Sequence, residues 1–202
     1  MEQIDFFDSD YNYIGATSID EIHQKGLWHQ TVAFWLFNVK ERVVYLQLRG
    51  PKNRVGPNTF DATSSGHLSS GESKEDGVRE LKEELGFSIL PEKCIYFKMY
   101  KNIVHLPNYI NHEFCHIYFV ETSYLLQDFV LEDGEVSNLF ALNIDDVHNF
   151  LKGKSVEITS LKEKRTITLN DMCAASVRIE NGYYKDVFNG LFKRINLQCV
   201  NI

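Results

Sequence analysis

Three glutamates lie close together in the middle of the chain, in the segment Arg79–Leu85 (RELKEEL). If this segment is helical, Glu80 lies three residues before Glu83 and four before Glu84, so the carboxylates can converge on one side. Like charges at this spacing destabilise an isolated helix. Carboxylate oxygens are also the ligands that Mg²⁺ and Mn²⁺ prefer. The spacing therefore indicates a site for a divalent metal.

The residues around the glutamates favour a helix with a glycine-containing loop in front of it. Leu81 and Leu85 lie on one apolar stripe if the helix begins at Ser73 or just after it. Gly86 is expected to end the helix, because glycine readily adopts the left-handed conformation found there. The loop 66–71 contains two glycines. Its backbone can therefore approach a ligand or an ion closely.

The stretch Gly66–Ile89 resembles the signature of the Nudix hydrolases, G-x5-E-x7-R-E-U-x-E-E-x-G-U, in which U is an aliphatic residue. The residues that match in type are Gly66, Glu72, Arg79, Glu80, Leu81, Glu83, Glu84 and Gly86. Two positions depart from the signature: Phe87 stands at an aliphatic position, and six residues instead of seven separate Glu72 from Arg79. One missing residue rotates a helix by about 100°. We expect the first helical turn to absorb it.

The resemblance implies divalent-metal-dependent hydrolysis of a diphosphate linkage in a nucleoside diphosphate derivative or a related small metabolite. The cofactor that it implies is Mg²⁺ or Mn²⁺. The metal-binding set that it implies is Gly66 (through its carbonyl oxygen), Glu80, Glu83 and Glu84, with Glu83 also taking part in catalysis. Arg79 belongs to the catalytic set if it orients a glutamate through an ion pair. A structural pair with Glu72 is an equally good interpretation, since bidentate geometry suits both.

A general base and groups that bind the substrate are expected outside the glutamate cluster. Glu113 interrupts an apolar strand sequence, and Glu135 follows a predicted turn. Both are candidates for the base, and Glu113 is the preferred one. Lys52 and Arg54 lie in a loop rich in proline and glycine and are expected to contact phosphate. His67, in the glycine-containing loop, is the third candidate for substrate binding.

The N-terminal part is similar to Nudix proteins related to isopentenyl-diphosphate isomerase. His23, His29, His67 and Glu113 stand where that resemblance implies a metal site, although hydrogen bonding within the fold would also account for the histidines. Ser65 occupies the position of the isomerase's catalytic cysteine. A serine hydroxyl is a far weaker acid than a thiol, which favours hydrolysis over isomerisation. Isomerase-like activity and a non-catalytic nucleotide-binding module are retained as alternatives.

The remaining pattern predicts strands interrupted by one strong helix and one later helix, which favours a mixed sheet between helices. Strands are expected at Thr31–Asn38, Val43–Leu48, Ile95–Tyr100 and Tyr109–Glu121. The segment between the last two is expected to form a loop over the site. The resemblance implies an α/β/α sandwich with a mixed sheet. Residues 1–152 form the predicted Nudix domain. Residues 153–202 form an extension whose helix packs on this domain or on a partner subunit in a homodimer.

Composition restricts the class of protein further. The chain has 202 residues and a formal net charge of −7, which argues against general nucleic-acid binding. No apolar run reaches the ~20 residues that a membrane span needs. The N-terminus has no apolar segment typical of a secretory signal. The four cysteines are widely spaced, as in a reduced protein. A cytoplasmic protein acting on a small diphosphate is expected.

Overall fold

The computed structural model describes residues 3–131, 134–173 and 180–199. These residues form one sheet of 11 strands with helices packed on it. The strands are β1 (Gln3–Phe7), β2 (Tyr13–Ser18), β3 (Trp28–Asn38), β4 (Val43–Arg49), β5 (Phe60–Asp61), β6 (Ser64–His67), β7 (Ile95–Leu106), β8 (Tyr109–Glu121), β9 (Val136–Asn143), β10 (Val156–Thr159) and β11 (Lys164–Ile167). The α-helices are α1 (Ile19–Lys25), α2 (Arg79–Leu85), α3 (Val147–Leu151) and α4 (Tyr183–Cys199).

Strand β3 is the centre of the sheet. The main strand order is β11-β10-β9-β4-β3-β1-β2. Strand β3 also pairs with β6 in the antiparallel direction and with β8 in the parallel direction. The parallel register runs from Trp28 opposite His112 to Phe37 opposite Glu121. Because this pair is parallel and the other pairs are antiparallel, the sheet is mixed, as predicted.

Strands β3 and β4 pair over only two positions and then separate. Phe37 lies opposite Val44, and Asn38 lies opposite Val43. Beyond this point β6 pairs with β3, and β5 pairs with β4. Thr63 joins the two diverging strands: its Oγ1 accepts a hydrogen bond from the Leu36 N–H at 2.8 Å and donates one to the Tyr45 carbonyl at 2.6 Å. The divergence leaves room for a cavity beside β6.

The apolar sequence of β3 supplies both faces of the sheet. Ala33, Trp35 and Phe37 belong to one core cluster, together with residues of α3 and α4. Val32, Phe34 and Leu36 belong to a second cluster, together with Leu81 and Leu85 of α2. Alternate side chains of a strand point to opposite faces, so a strand covered on both faces reads as continuously apolar. This arrangement confirms the predicted α/β/α sandwich.

The prediction that α2 begins at or just after Ser73 is wrong by several residues. The α-helix begins at Arg79, after a 3₁₀ turn at Asp76–Val78. The N–H and hydroxyl of Ser73 both donate to the Asp76 carboxylate, at 2.8 and 2.7 Å. These bonds favour a tight turn over continuous α-helix. The helix ends as predicted, with Gly86 in the left-handed conformation at φ 62°.

The expected loop between Tyr100 and Tyr109 is not present. Strand β7 continues to Leu106 and pairs with β8 along its whole length, although the register shifts between Tyr96 and Lys98. The two strands are joined by a tight turn in which Asn108 adopts a φ of 60°. Asparagine tolerates this conformation better than most residues. A two-residue turn leaves no loop to overhang the site.

The segment after residue 152 continues the sheet before it forms the C-terminal helix. Strand β10 pairs with β9, and β11 pairs with β10. The stripe that α4 buries against the domain consists of Tyr183, Tyr184, Val187, Phe188, Leu191 and Ile195. The division of the chain at 152/153 stays a prediction.

Among the helices that the structure describes, none has both the length and the apolar character needed to span a bilayer.

Candidate active site

A cavity of about 650 Å³ lies where β3 and β4 separate, beside β6 and α2. Its size is typical of sites for small molecules. Eight charged side chains contribute to its lining: the acids are Asp61, Glu80, Glu83, Glu84, Glu113 and Glu135, and the arginines are Arg49 and Arg79. Acids therefore outnumber arginines. An anionic ligand needs additional positive charge to bind there.

Two carboxylates of α2 are buried at the cavity wall. Glu80 and Glu84 have only 8% and 5% of their surface exposed. Burial raises the pKa of Glu80 to about 7, although the nearby Arg79 opposes this. Burial, with the neighbouring Glu80, raises the pKa of Glu84 to about 8. The Ser65 N–H donates to Glu84 Oε2 at 3.1 Å. A buried acidic pair of this kind is a place where a bound cation would relieve the repulsion.

Gly66 is a glycine because the carboxylate of Glu80 occupies the space of a side chain. A Cβ at position 66 would lie 2.2 Å from both Cδ and Oε1 of Glu80. No ordinary contact is this short, since carbon and oxygen atoms in contact lie more than 3 Å apart. The backbone of Gly66 therefore lies directly against this carboxylate. Together with the carbonyl oxygen of Gly66, the two buried carboxylates would give an all-oxygen donor set of the kind that fits Mg²⁺ or Mn²⁺.

Arg79 connects the glycine-containing loop to the glutamates Glu72, Glu80 and Glu83. Its Nε and Nη2 donate to the two carboxylate oxygens of Glu72, at 2.8 and 3.1 Å. Its Nη1 donates to Glu80 at 2.6 Å and to Glu83 at 3.0 Å. Its Nη2 also donates to the carbonyl of His67 at 2.9 Å. The one-residue shortening before Arg79 therefore leaves the pair with Glu72 intact. Both interpretations of Arg79, as a structural pair and as a group that orients glutamates, agree with these contacts.

The two candidate bases line the same cavity in different surroundings. Glu113 is 7% exposed, and its Oε1 accepts a hydrogen bond from Asn102 at 2.8 Å. Its Oε2 accepts from Asn111 at 3.1 Å and from Thr31 at 3.4 Å. Glu135 is exposed, and its negative charge contributes to the raised pKa values of the buried glutamates of α2. Glu113 is thus the fixed carboxylate and Glu135 the exposed one.

The histidines His23, His29 and His67 form a compact cluster. One nitrogen from each lies within 4.8 Å of the others. Among the described residues, the buried Nε2 atoms of His23 and His29 make no hydrogen bond of normal geometry, although the Asn111 side chain lies close enough to His23 to raise its pKa slightly. Burial lowers the pKa of all three, to about 4 for His23 and about 3 for His67, where the neighbouring imidazoles add to the effect. Neutral imidazoles with unpaired nitrogens are suitable ligands for zinc or another transition metal.

The loop cations predicted to bind phosphate lie away from the cavity wall. Lys52 is exposed, and it is not among the described residues that line the cavity. Arg54 lines a smaller neighbouring cavity of about 460 Å³, 3.8 Å from Asp20 and above the Tyr109 ring. His67, the third candidate, lines the main cavity.

Arg49 is a cavity residue that sequence reasoning missed. Its guanidinium lies 3.6 Å from the buried Asp61, and its Nε donates to the Val55 carbonyl at 2.9 Å. It is the last residue of β4, a strand of otherwise mostly buried side chains. An arginine that ends a buried strand is a signal that was present in the sequence.

Comparisons with known proteins agree with this geometry. The family model described as NUDIX domain matches residues 27–161. An uncharacterised Nudix hydrolase of Clostridium acetobutylicum is 40% identical over 155 residues, covering 76% of this chain and 75% of that protein. An isopentenyl-diphosphate Delta-isomerase of Serratia proteamaculans is 31% identical over 118 residues, covering 58% of this chain and 64% of that protein.

A solved structure shows the same fold. A crystal structure from Deinococcus radiodurans superposes with a TM-score of 0.55 at 17% sequence identity, covering 76% of this chain and 91% of that chain. The chain belongs to the Nudix family. Within it, the match to the clostridial hydrolase identifies an enzyme of the pyrophosphohydrolase type.

Proposed function

We propose that this protein uses Mg²⁺ or Mn²⁺ to hydrolyse the diphosphate linkage of a nucleoside diphosphate derivative or a related small metabolite. The observation that carries the proposal is the buried pair of Glu80 and Glu84, which face a cavity of about 650 Å³. Two buried carboxylates at the wall of a cavity large enough for a nucleotide are costly without a cation. A diphosphate brought in with a divalent ion supplies this cation.

The residues that would hold the metal are Glu80, Glu84 and the carbonyl of Gly66, with Glu83 at the exposed edge. When bound, the ion would stabilise negative charge on the phosphate oxygens and lower the pKa of a water molecule. Arg79 keeps the carboxylates of Glu80 and Glu83 oriented through its Nη1 contacts. The Ser65 N–H fixes one oxygen of Glu84.

Glu113 is our candidate for the general base. It is buried, and the two amide donors Asn102 and Asn111 hold its two oxygens in place. Hydrogen bonds from neutral N–H groups favour the ionised carboxylate, which is the form that accepts a proton from water. Glu135 is the alternative, because its charge acts on the glutamates of α2. Comparing kcat of Glu113→Gln with that of Glu135→Gln distinguishes the two.

Arg49 is our candidate for contact with the substrate phosphates, beside His67. It lines the main cavity, and its neighbours Asp61 and Asn53 hold the guanidinium in place. Arginine suits phosphate because its planar donors bind two oxygens at once. Arg54 at the neighbouring cavity and the exposed Lys52 would reach only a substrate that extends beyond the main cavity.

A hydrolysis panel tests the proposal. Purified protein with Mg²⁺ or Mn²⁺ is incubated with nucleoside diphosphate derivatives and other small diphosphates, and the products are identified by mass. We expect phosphorylated products to be released. The Glu84→Gln variant should release them at least 10²-fold more slowly. Glu92→Gln is the matched control, since Glu92 is an exposed acid outside the cavity. Equal activity of Glu84→Gln and the native protein would refute the assignment.

Isomerase-like activity is a second candidate because of the histidine cluster. The unpaired Nε2 atoms of His23 and His29 suit a bound metal, as the resemblance to the isomerase implies. Ser65 argues against proton transfer to a double bond, because its hydroxyl is a weak acid. Deuterium incorporation into isopentenyl diphosphate is the assay. Absence of exchange in the metal-loaded protein excludes this candidate while leaving the hydrolase proposal untouched.

A further inference from the structure

A line of side-chain amides connects the start of helix α4 to Glu113 in the cavity. The backbone N–H of Tyr183 donates to Asn181 Oδ1 at 3.0 Å. Asn181 Nδ2 donates to Asn102 Oδ1 at 3.0 Å, and Asn102 Nδ2 donates to Glu113 Oε1 at 2.8 Å. We call these three consecutive hydrogen bonds the asparagine relay. Asn181 lies beyond residue 161, where the match to the Nudix domain ends.

The direction of the asparagine relay is set at its helical end. A backbone N–H can only donate, so Asn181 must turn its oxygen towards Tyr183 and its NH₂ group towards Asn102. Asn102 must then accept with its oxygen, which leaves its NH₂ group for Glu113. The carboxylate therefore receives a donor whose orientation is determined by the first turn of α4.

Strand pairing alone does not determine this orientation. Asn102 on β7 lies directly opposite Glu113 on β8, so the two side chains are neighbours whatever Asn181 does. Asn102 is 1% exposed, which leaves no water to satisfy a misplaced amide. If its amide were reversed, Oδ1 would face the Glu113 carboxylate, and two acceptors would repel each other. Asn181 is the described contact that prevents this reversal.

We propose that Asn181 and Asn102 are positioning residues that hold the Glu113 carboxylate for hydrolysis. The C-terminal segment would thereby complete the active site of the Nudix domain. This role rests on the proposed function, because Glu113 is there the general base. Neither asparagine reaches the substrate in this scheme. Both act through the orientation of one carboxylate.

Asn181→Asp is the decisive variant. Aspartate still accepts the Tyr183 N–H, so helix α4 keeps its start and the midpoint of thermal unfolding should change little. It cannot donate to Asn102, however, and its carboxylate attracts the NH₂ group of Asn102 instead. The Asn102 amide should then reverse and present Oδ1 to Glu113. We expect kcat to fall by about 10- to 100-fold, as for other groups that orient a catalytic side chain, with KM changed by less than about threefold.

Two comparisons separate positioning from a general structural effect. Asn196→Leu is the control, because Asn196 is another α4 asparagine, accepts from Arg42 at 3.0 Å, and lies outside the cavity lining that the structure describes. Its kcat should equal that of the native protein. In a Glu113→Gln background, Asn181→Asp should cause no further loss, because both changes act on one carboxylate. Full additivity of the two losses would overturn the proposal, as would native kcat in Asn181→Asp.

A spectroscopic readout keeps the relay testable without turnover. The side-chain ¹⁵N–¹H₂ resonance of Asn102, assigned by its loss in Asn102→Ala, should shift in both Asn181→Asp and Glu113→Gln. An unchanged resonance in Asn181→Asp would refute the relay even if the hydrolysis panel succeeds. A shifted resonance together with a panel that yields no product would support the relay geometry and refute the proposed function instead.

Discussion

The replacement Gly66→Ala tests the contact between the glycine loop and the metal-binding helix. The added Cβ would lie 2.2 Å from Glu80 Oε1, whereas ordinary contact begins at 3.4 Å. The carboxylate must therefore move by about 1.2 Å, the difference between these distances. A misplacement of about 1 Å in a catalytic arrangement costs about 10²-fold in rate, or about 2.7 kcal/mol in the activation free energy. Gly66 does not have a left-handed φ, so the backbone itself accepts alanine.

The assays are steady-state hydrolysis, Mn²⁺ titration followed by electron paramagnetic resonance, and thermal unfolding. We expect Gly66→Ala to lower kcat/KM about 10²-fold and to weaken Mn²⁺ binding. Gly71→Ala is the control from the same loop: its φ of 84° strains alanine, but no described heavy atom lies within 4 Å of the new Cβ. It should lower the unfolding temperature and keep kcat/KM. Native Mn²⁺ affinity and activity in Gly66→Ala would refute the assignment of Glu80 as a ligand held against Gly66.

Three further outcomes are expected. Arg79→Lys should lower kcat at least about tenfold in steady-state kinetics, because lysine cannot form the bidentate pair with Glu72; native kcat would contradict this. Without metal, the free energy of unfolding in urea should fall as pH rises from about 7 to about 8, since the raised pKa values of Glu80 and Glu84 mean that the folded protein retains protons that the unfolded chain has released. Below about pH 7 the histidines with lowered pKa values act in the opposite direction, because the unfolded chain protonates them and the folded protein does not. Saturating Mg²⁺ should flatten this slope, and a metal-independent slope would argue against binding there. Ser65→Ala should stay within about twofold of native hydrolysis, because Ser65 contacts Glu84 through its backbone N–H; a loss above about tenfold would implicate the hydroxyl.

The helix of the glutamates and the central strand were predictable because their signals are local. The 3.6-residue stripe of Leu81 and Leu85 and the stop at Gly86 need only neighbouring residues to be interpreted. The apolar run of β3 required both faces of the strand to be covered, and the two core clusters cover them. The start of α2 was misjudged because the hydrogen bonds between Ser73 and Asp76, which precede a 3₁₀ turn, cannot be recognised from the apolar stripe.

The contacts of Glu113 were not predictable because they depend on strand register. Asn102 is 11 residues away in sequence, and Asn181 is farther still, on the other side of the domain boundary that the sequence suggested. A single sequence gives no measure of which residues of two strands lie opposite each other. The same limit applies to Arg49, whose place at the cavity follows from the divergence of β4 from β3. Lys52 and Arg54 were proposed from loop composition, which carries no information about the direction in which their side chains point.

The parallel pairing of β3 with β8 has a consequence for how the protein folds. Residues 28–37 are matched with residues 112–121, so the central pair of the sheet joins segments 84 positions apart. Closing such a long loop costs entropy before any pairing is gained, and folds rich in distant contacts form slowly. During synthesis, the glycine-containing loop and α2 emerge before β8 exists to pair with β3. The cavity beside the glutamates of α2 therefore cannot close until synthesis has reached residue 121 and β8 can pair with β3.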